Sequence, residues 1–176
     1  MLTLESLNLD RPLSVFLAIG LAEKAIPIWE AEYPEDMSPR KAIEAAKEWL
    51  SNPSDAATNA AADAANAAYA AAYADDVATA AAYAAAYAAA YAAYAAANDA
   101  TNAGANAYAA YAANDAAAAL GADREALIHK VILENLDSIL QYKIDNGQNF
   151  TQPELILNHL TEEQRQSFLF NLDSVA

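Results

Sequence analysis

The chain has 176 residues and a formal net charge of −15, with 24 Asp and Glu against 9 Lys and Arg. This charge argues against direct binding to nucleic acid, because contact with the phosphate backbone requires basic side chains. Cysteine is absent, which excludes disulfides, thiolate metal ligands and thiol catalysis.

The first fifty residues predict two helices. Residues 10–12 (Asp-Arg-Pro) form a helix start, since proline in the first turn has no amide hydrogen to lose. Pro27 lies inside the apolar pattern that follows and should kink or end this helix near Ala25. Ser38 starts the second helix, and the segment 52–54 ends it.

Alanine dominates the middle of the chain, where 40 of the 50 alanines lie within residues 56–119. Alanine is the best helix former and is depleted from strands, so this region is predicted to be helical. Asp, Asn and Gly residues interrupt it in three places, and such residues favour caps and turns. The predicted helices cover about 54–74, 76–98 and 101–119, or they run on as one longer, bent rod.

A longer apolar helix is predicted after the alanine-rich region. Gly121 is a stop signal, and Asp123 caps the next helix, which covers 123–146 and carries a broad apolar stripe. Two short helices should follow, because 151–154 and 161–164 match the capping-box pattern, in which threonine is followed three residues later by Glu or Gln.

No segment alternates polar and apolar residues as a strand does, and no β-α-β period is present. We therefore predict an all-α fold, a single domain over 1–176 in which about six to eight helices form a bundle. The alanine- and tyrosine-rich helices are expected at its centre. The predicted parts are the N-terminal helices (1–53), the alanine- and tyrosine-rich helices (54–120) and the C-terminal helices (121–176).

No segment is predicted to cross a membrane or to act as a targeting signal. The apolar residues 12–22 are too few to span a bilayer and lack a basic leading region. Residues 77–97 are long enough and uncharged, but alanine and tyrosine are weak insertion signals. We expect a buried helix here and a cytoplasmic protein.

Tyrosines recur along the alanine-rich helices at helical spacing. Four of them in the central helix are separated by 4, 4 and 3 residues and therefore share one helix face. The tyrosines of this stripe are Tyr83, Tyr87, Tyr91 and Tyr94 in the central helix, with Tyr69, Tyr73, Tyr108 and Tyr111 in its neighbours.

The tyrosine stripe has two interpretations. In a core, the rings would fill the gaps between alanine faces; on a surface, they would form a recognition site, because tyrosine is enriched at interfaces. We expect Tyr87 and Tyr91 to be buried, with hydroxyls on Asp, Asn or backbone partners. Tyr94, Tyr108 and Tyr111 are the candidate partner-binding residues of the stripe.

Little in the sequence indicates catalysis or a cofactor. His129 and His159 lack the spacing of metal-ligand pairs. The four glycines form no phosphate-binding loop, and the Gly-x-Ser-x-Gly nucleophile pattern is absent. Residues 145–149 form a turn that places glycine third, whereas a calcium loop requires it sixth. We expect a protein without enzyme activity, catalytic residues, bound metal or cofactor.

An ordered motif occupies residues 25–49. It comprises hydrophobic-Pro-hydrophobic-aromatic-Glu at 26–30, Pro-x-Asp at 34–36, Pro-Arg at 39–40 and Ile-Glu-Ala-Ala-x-x-Trp at 43–49. This motif resembles the opening of the immunity protein family of all-helical, Ala-rich bacterial and phage domains.

The resemblance implies an all-helical protein of bacterial conflict systems, which binds and neutralises a toxin or a defence factor. Over residues 54–119 the resemblance is one of amino-acid composition only. Within the motif, Ser38 occupies a position where the family usually has a basic residue. Carried onto the motif, a binding role would fall to Asp36, Arg40 and Glu44. The motif can also be explained by a structural role. Arg40 and Glu44 have the spacing of an (i, i+4) ion pair, and the two tryptophans, Trp29 and Trp49, would anchor the first two helices.

The acidity leaves two other classes of function open. One is an acidic DNA mimic that inhibits a nucleic-acid-binding protein, and the other is a structural helical protein that self-assembles, as a homo-oligomer for example. The 6 acidic residues of 55–119 are sparse beside a DNA duplex, which presents one charge per about 1.7 Å. A charge mimic should lose its target steeply as salt increases, and light scattering would reveal self-assembly.

Overall fold

The computed structural model describes residues 1–74, 80–97, 102–162 and 164–165, and it confirms the all-α fold. Within these ranges no residue lies in a β-strand, and a 3-10 turn at Glu5–Leu7 precedes eight α-helices. The helices are α1 (Arg11–Glu32), α2 (Ser38–Ser51), α3 (Asp55–Ala74), α4 (Ala80–Ala97), α5 (Asn102–Leu120), α6 (Arg124–Glu134), α7 (Leu136–Asp145) and α8 (Pro153–Leu157).

Helix α4 lies at the centre of the molecule and packs against α1, α2, α3 and α5. Alanines are buried around its whole circumference, as the runs 84–86 and 88–90 show. A helix that is apolar on every side belongs in a core. Because the alanine side chain is a single methyl group, neighbouring backbones approach closely and burial costs no side-chain entropy.

The alanine-rich region forms three helices and not one rod, because α3 and α5 both fold back along α4. The predicted interruptions at 75–76 and 98–99 lie outside the described residues. Around α4, α5 packs on α1, α1 on α2, and α2 on α3, whereas α3 and α5 scarcely contact each other in the described ranges. The side of the central helix between α3 and α5 is therefore not covered by another described helix, and we call it the open side of α4.

Pro27 lies inside α1 and does not end it, so of the two predicted outcomes, a kink or an end near Ala25, the end is wrong. Proline removes one helical hydrogen bond and crowds the carbonyl four residues earlier. The last turn is held from outside, since Trp29 is buried and its indole Nε1 donates to the backbone oxygen of Asp36 at 3.0 Å. Tertiary anchoring of Trp29 thus outweighs the local effect of the proline.

Among the described helices, α1 is the one that is long and apolar enough to cross a membrane by length and composition. Most of that stretch is buried in the structure, where α1 packs against α2, α4 and α5. The core helix of a globular fold has these same properties.

The helix predicted over 123–146 is two helices, α6 and α7, which meet at Asn135. The side-chain amide of Asn135 donates to the backbone oxygen of Val131 at 2.8 Å. Asparagine competes in this way with the backbone hydrogen bonds of a helix, which explains the break. The predicted start is confirmed, since Asp123 accepts from the amide of Ala126 and Gly121 has a φ of +59°.

One of the two predicted capping boxes forms. In the 161–164 box, the Thr161 amide donates to Gln164 Oε1 at 2.7 Å, and the Gln164 amide donates to Thr161 Oγ1 at 3.3 Å. The 151–154 box does not form, because α8 begins at Pro153 with Gln152 as its N-cap. Proline is favoured at the first helical position, and this moves the helix start past the threonine.

Candidate partner-binding surface

Tyrosines from three helices form a continuous cluster at the open side of α4. The ring centroids of Tyr69 and Tyr87 are 4.6 Å apart, and those of Tyr87 and Tyr91 are 6.0 Å apart. The side chains of Tyr73 and Tyr83, which belong to the predicted stripe, lie outside the described residues. We call the cluster the tyrosine face; its members are Tyr69 of α3, Tyr87, Tyr91 and Tyr94 of α4, and Tyr108 and Tyr111 of α5.

The tyrosine face passes from core to surface across the open side of α4. Tyr87 is 8% exposed and belongs to the core, as predicted, whereas Tyr111 is 50% exposed. Tyr91 is only partly buried, like Tyr94 and Tyr108, so its predicted burial is wrong. Its ring is left partly uncovered because α3 and α5 do not close over this side of the central helix.

Ring contacts and one hydrogen bond hold the exposed half of the face in place. Tyr108 stacks on Tyr94 at 5.6 Å and on Tyr91 at 6.1 Å. The hydroxyl of Tyr94 donates to Asn66 Oδ1 of α3 at 2.7 Å. An asparagine partner of this kind was expected for Tyr87 and Tyr91, and the structure shows one for Tyr94. The surface is therefore ordered before any partner arrives, which reduces the entropy cost of binding.

Asp115 belongs to this surface and was missed by the sequence analysis. It follows Tyr111 by four residues and Tyr108 by seven, which places all three on one side of α5. Burial raises the pKa of the Asp115 carboxyl to about 6. Burial also raises the pKa of Tyr91, and the negative charge of Asp115 raises it further. At neutral pH the face thus holds a carboxylate beside partly exposed rings.

We expect Asp115 to lower the stability of the protein as pH rises. The carboxyl loses its proton near its ordinary pKa of 3.8 when the chain is unfolded, but only near 6 when it is folded. Because the folded state holds the extra proton between these values, the free energy of unfolding should fall over this range. After discounting for partial exposure, the loss should be about 1–2 kcal/mol.

The variant Asp115→Asn checks this expectation by thermal unfolding at two pH values. It should be more stable than the wild type at about pH 7 and nearly equal to it at about pH 4, where the wild-type carboxyl is protonated in the folded state. A variant that is less stable than the wild type at about pH 7 would contradict the assignment of a destabilising, unpaired carboxylate.

Asp36, Arg40 and Glu44 lie at the corner between α1 and α2, and none of the described contacts joins them to the tyrosine face. The guanidinium of Arg40 contacts Glu30 Oε1 of α1 at 2.6 Å, so the predicted ion pair with Glu44 is wrong. The hydrogen bond from Arg40 lowers the pKa of Glu30. The ion pair between Arg40 of α2 and Glu30 of α1 thus replaces the (i, i+4) pair within α2. A partner-binding role for this corner stays a prediction.

Both tryptophans of the 25–49 motif anchor the first helices, as predicted. Trp29 and Trp49 are buried. The indole Nε1 of Trp49 donates to Thr58 Oγ1 of α3 at 3.1 Å, and the guanidinium of Arg11 lies 4.4 Å from the centre of its ring. The described contacts of the motif therefore serve folding.

His129 and His159 meet although 30 residues separate them in the sequence. Their ring centroids are 5.3 Å apart, and Nδ1 of His129 accepts from the amide of Leu2 at 3.0 Å. Burial and the neighbouring His159 lower the pKa of His129. In the described part of the chain, no three His, Cys, Asp or Glu side chains are grouped as metal ligands would be. The pair serves to hold the N-terminal segment on α6.

A partly buried polar network joins the start of α1 to the end of α7. The carboxylate of Asp10 caps α1 and accepts from the Tyr142 hydroxyl at 2.6 Å and from Gln148 Nε2 at 2.7 Å. Nζ of Lys143, a fully buried side chain, donates to the backbone oxygen of Asn8 and to Gln148 Oε1. Burial lowers the pKa of Lys143. Because every polar group in this network has a partner, its function is to fix the terminal segments on the bundle.

Comparisons with protein-family models, with curated proteins and with solved structures found no match for this chain. The functional interpretation therefore depends on the chemistry of the tyrosine face.

Proposed function

We propose that this protein is a non-enzymatic binding protein that uses the tyrosine face to block a protein partner. The observation that carries the proposal is the ordered cluster of tyrosines on the open side of α4, which ends in Tyr111 at 50% exposure. Tyrosine provides a large contact area at a low entropy cost, because it has only two side-chain torsions. A rigid aromatic surface of this kind suits the centre of a protein interface.

The resemblance of residues 25–49 to the immunity protein family supports a narrower form of the proposal. It suggests that the partner is a toxin or a defence factor, and that binding neutralises it. Proteins of that type act by occupying a surface, which requires no catalytic group or cofactor. We place this action in the cytoplasm.

Capture from cells that carry candidate toxins or defence systems tests the proposal. The wild-type chain should retain a protein that Tyr111→Ala retains poorly, and calorimetry on that protein should show a loss of about 2 kcal/mol or more, as for a central interface residue. The matched control is Leu133→Ala, because Leu133 is also exposed but lies on α6. Equal affinity of wild type and Tyr111→Ala for every captured protein would contradict the proposal.

The same assay, repeated at increasing salt, separates this proposal from DNA mimicry. An aromatic interface should lose little affinity between low and moderate salt, whereas a charge mimic should lose its target steeply. A steep loss, together with unchanged binding by Tyr111→Ala, would support the DNA mimic. Light scattering on the purified protein tests the third possibility, a self-assembling structural protein, because it measures whether the protein forms oligomers.

A further inference from the structure

The region that forms the tyrosine face contains negative charges and no positive ones. Residues 55–119 include 6 acidic and 0 basic residues. The ion pairs of the described chain lie elsewhere, between α1 and α2, between α1 and α6, and within α6. No basic side chain of α3, α4 or α5 is therefore available to neutralise a carboxylate on this face.

Asp115 is a carboxylate without a partner on the face. It is partly buried, and within the described residues no hydrogen bond or ion pair reaches its carboxylate. Desolvating a charge without pairing it is unfavourable. A cation supplied from outside the chain would relieve this cost, and the neighbouring rings of Tyr91 and Tyr111, 5.3 Å apart, present the aromatic surface on which cations bind.

We propose that the tyrosine face binds an arginine side chain that the partner protein presents. This inference rests on the proposed function and specifies the chemistry of the partner. The guanidinium would lie on the partly exposed ring of Tyr91 and the exposed ring of Tyr111 and donate to the carboxylate of Asp115. Arginine fits this surface better than lysine, because the planar guanidinium stacks on aromatic rings and is more weakly hydrated than an ammonium group.

A second copy of this chain is a poorer occupant. A two-fold contact places the same surface on both subunits, and this surface offers no cation to Asp115. Two such faces would bring like charges together, which is unfavourable. Charge complementarity therefore favours a basic partner over self-association.

A peptide titration tests the proposal with the full chain. The probe is a short peptide of alternating glycine and arginine; its controls replace each arginine with citrulline, which has the same shape without the charge, or with lysine. Tyrosine ring signals followed by NMR at neutral pH should show saturable binding of the arginine peptide, with the largest shifts for Tyr91 and Tyr111. The lysine peptide should bind more weakly, and the citrulline peptide should not bind.

Two variants show where the peptide binds. Asp115→Asn should lower the affinity for the arginine peptide about tenfold, as expected for the loss of a charged hydrogen-bond acceptor. Glu48→Gln removes the same charge from an exposed position on α2 and should change the affinity less than twofold. Equal losses in the two variants, or a citrulline or lysine peptide that binds as tightly as the arginine peptide, would overturn the proposal.

The two proposals can fail separately. If Tyr111→Ala loses the captured partner but Asp115→Asn binds that partner and the peptide as well as the wild type does, the arginine inference is wrong and the binding function stands. If Asp115→Asn loses the peptide while Tyr111→Ala keeps every captured protein, the face binds arginine but the proposed function is wrong, and the binding surface for those proteins lies elsewhere. A dimer in light scattering that Tyr111→Ala dissociates would assign the face to a second copy and overturn the inference.

Discussion

Replacing Tyr87 with alanine is expected to lower the free energy of unfolding by about 3–5 kcal/mol, the range typical of a buried aromatic residue. Tyr87 is 8% exposed, and its ring contacts Tyr69 and Tyr91. Most of its other neighbours on α4 are alanines, whose methyl groups cannot rearrange to fill the cavity. Denaturant and thermal unfolding of Tyr87→Ala and wild type measure the difference.

Tyr111→Ala is the matched control for this experiment. Tyr111 belongs to the same face but is 50% exposed, so its truncation should cost less than about 1 kcal/mol. Equal losses in the two variants would show that the face does not pass from core to surface. The control also establishes that the binding defect expected for Tyr111→Ala is not a folding defect.

The second large effect is expected for Asp10→Ala, which should lower the free energy of unfolding by about 2–4 kcal/mol, because it removes a helix cap and leaves partly buried donors without their acceptor. The substitution removes the cap of α1 and deprives the Tyr142 hydroxyl and Gln148 of their shared acceptor. It also removes the carboxylate whose charge favours the charged form of the buried Lys143. Denaturant unfolding at neutral pH measures the loss.

Asp123→Ala provides the comparison, because Asp123 caps α6 in the same way, with its carboxylate on the amide of Ala126, but is exposed. Loss of an exposed cap should cost about 1 kcal/mol. The excess for Asp10→Ala over Asp123→Ala therefore measures the buried network. An equal cost for the two caps would mean that the network contributes nothing to stability.

The sequence predicts the parts of this fold that depend on local chemistry. Asp123 caps α6 and Gly121 adopts a positive φ, because a carboxylate and a glycine serve these positions in any context. Two predicted helix boundaries were wrong, because α1 does not end near Ala25 and residues 123–146 do not form one helix. Burial of Trp29 carries α1 past the proline, and a side-chain hydrogen bond of Asn135 accompanies the break that separates α6 from α7.

The candidate site was predicted in part, for a similar reason. Helical spacing identified the tyrosines of α4 and of its neighbours as faces of single helices, and the structure brings the rings of the candidates Tyr94, Tyr108 and Tyr111 into one cluster. The partial exposure of Tyr91 could not be predicted, because it depends on the gap between two helices that are far apart in sequence. The spacing of Asp115 relative to Tyr111 was visible in the sequence, but its desolvation arises only from tertiary packing.

The repeated alanines of α4 determine its register along the neighbouring helices only weakly. Sliding the helix by four residues would put Tyr83 in the place of Tyr87, Tyr87 in the place of Tyr91, and most alanines in the places of other alanines. The exceptions within positions 84–97 are Tyr91, which would move to the position of the buried Ala95, and Ala90, which would replace Tyr94. Interlocking large side chains prevent such slippage in ordinary helix pairs. Here the alignment is fixed by the misfit of Tyr91 at the Ala95 position and by two polar contacts, from Tyr94 to Asn66 and from the Arg11 guanidinium to the carbonyl oxygen of Ala96. These contacts distinguish the native alignment from one displaced by a single helical turn.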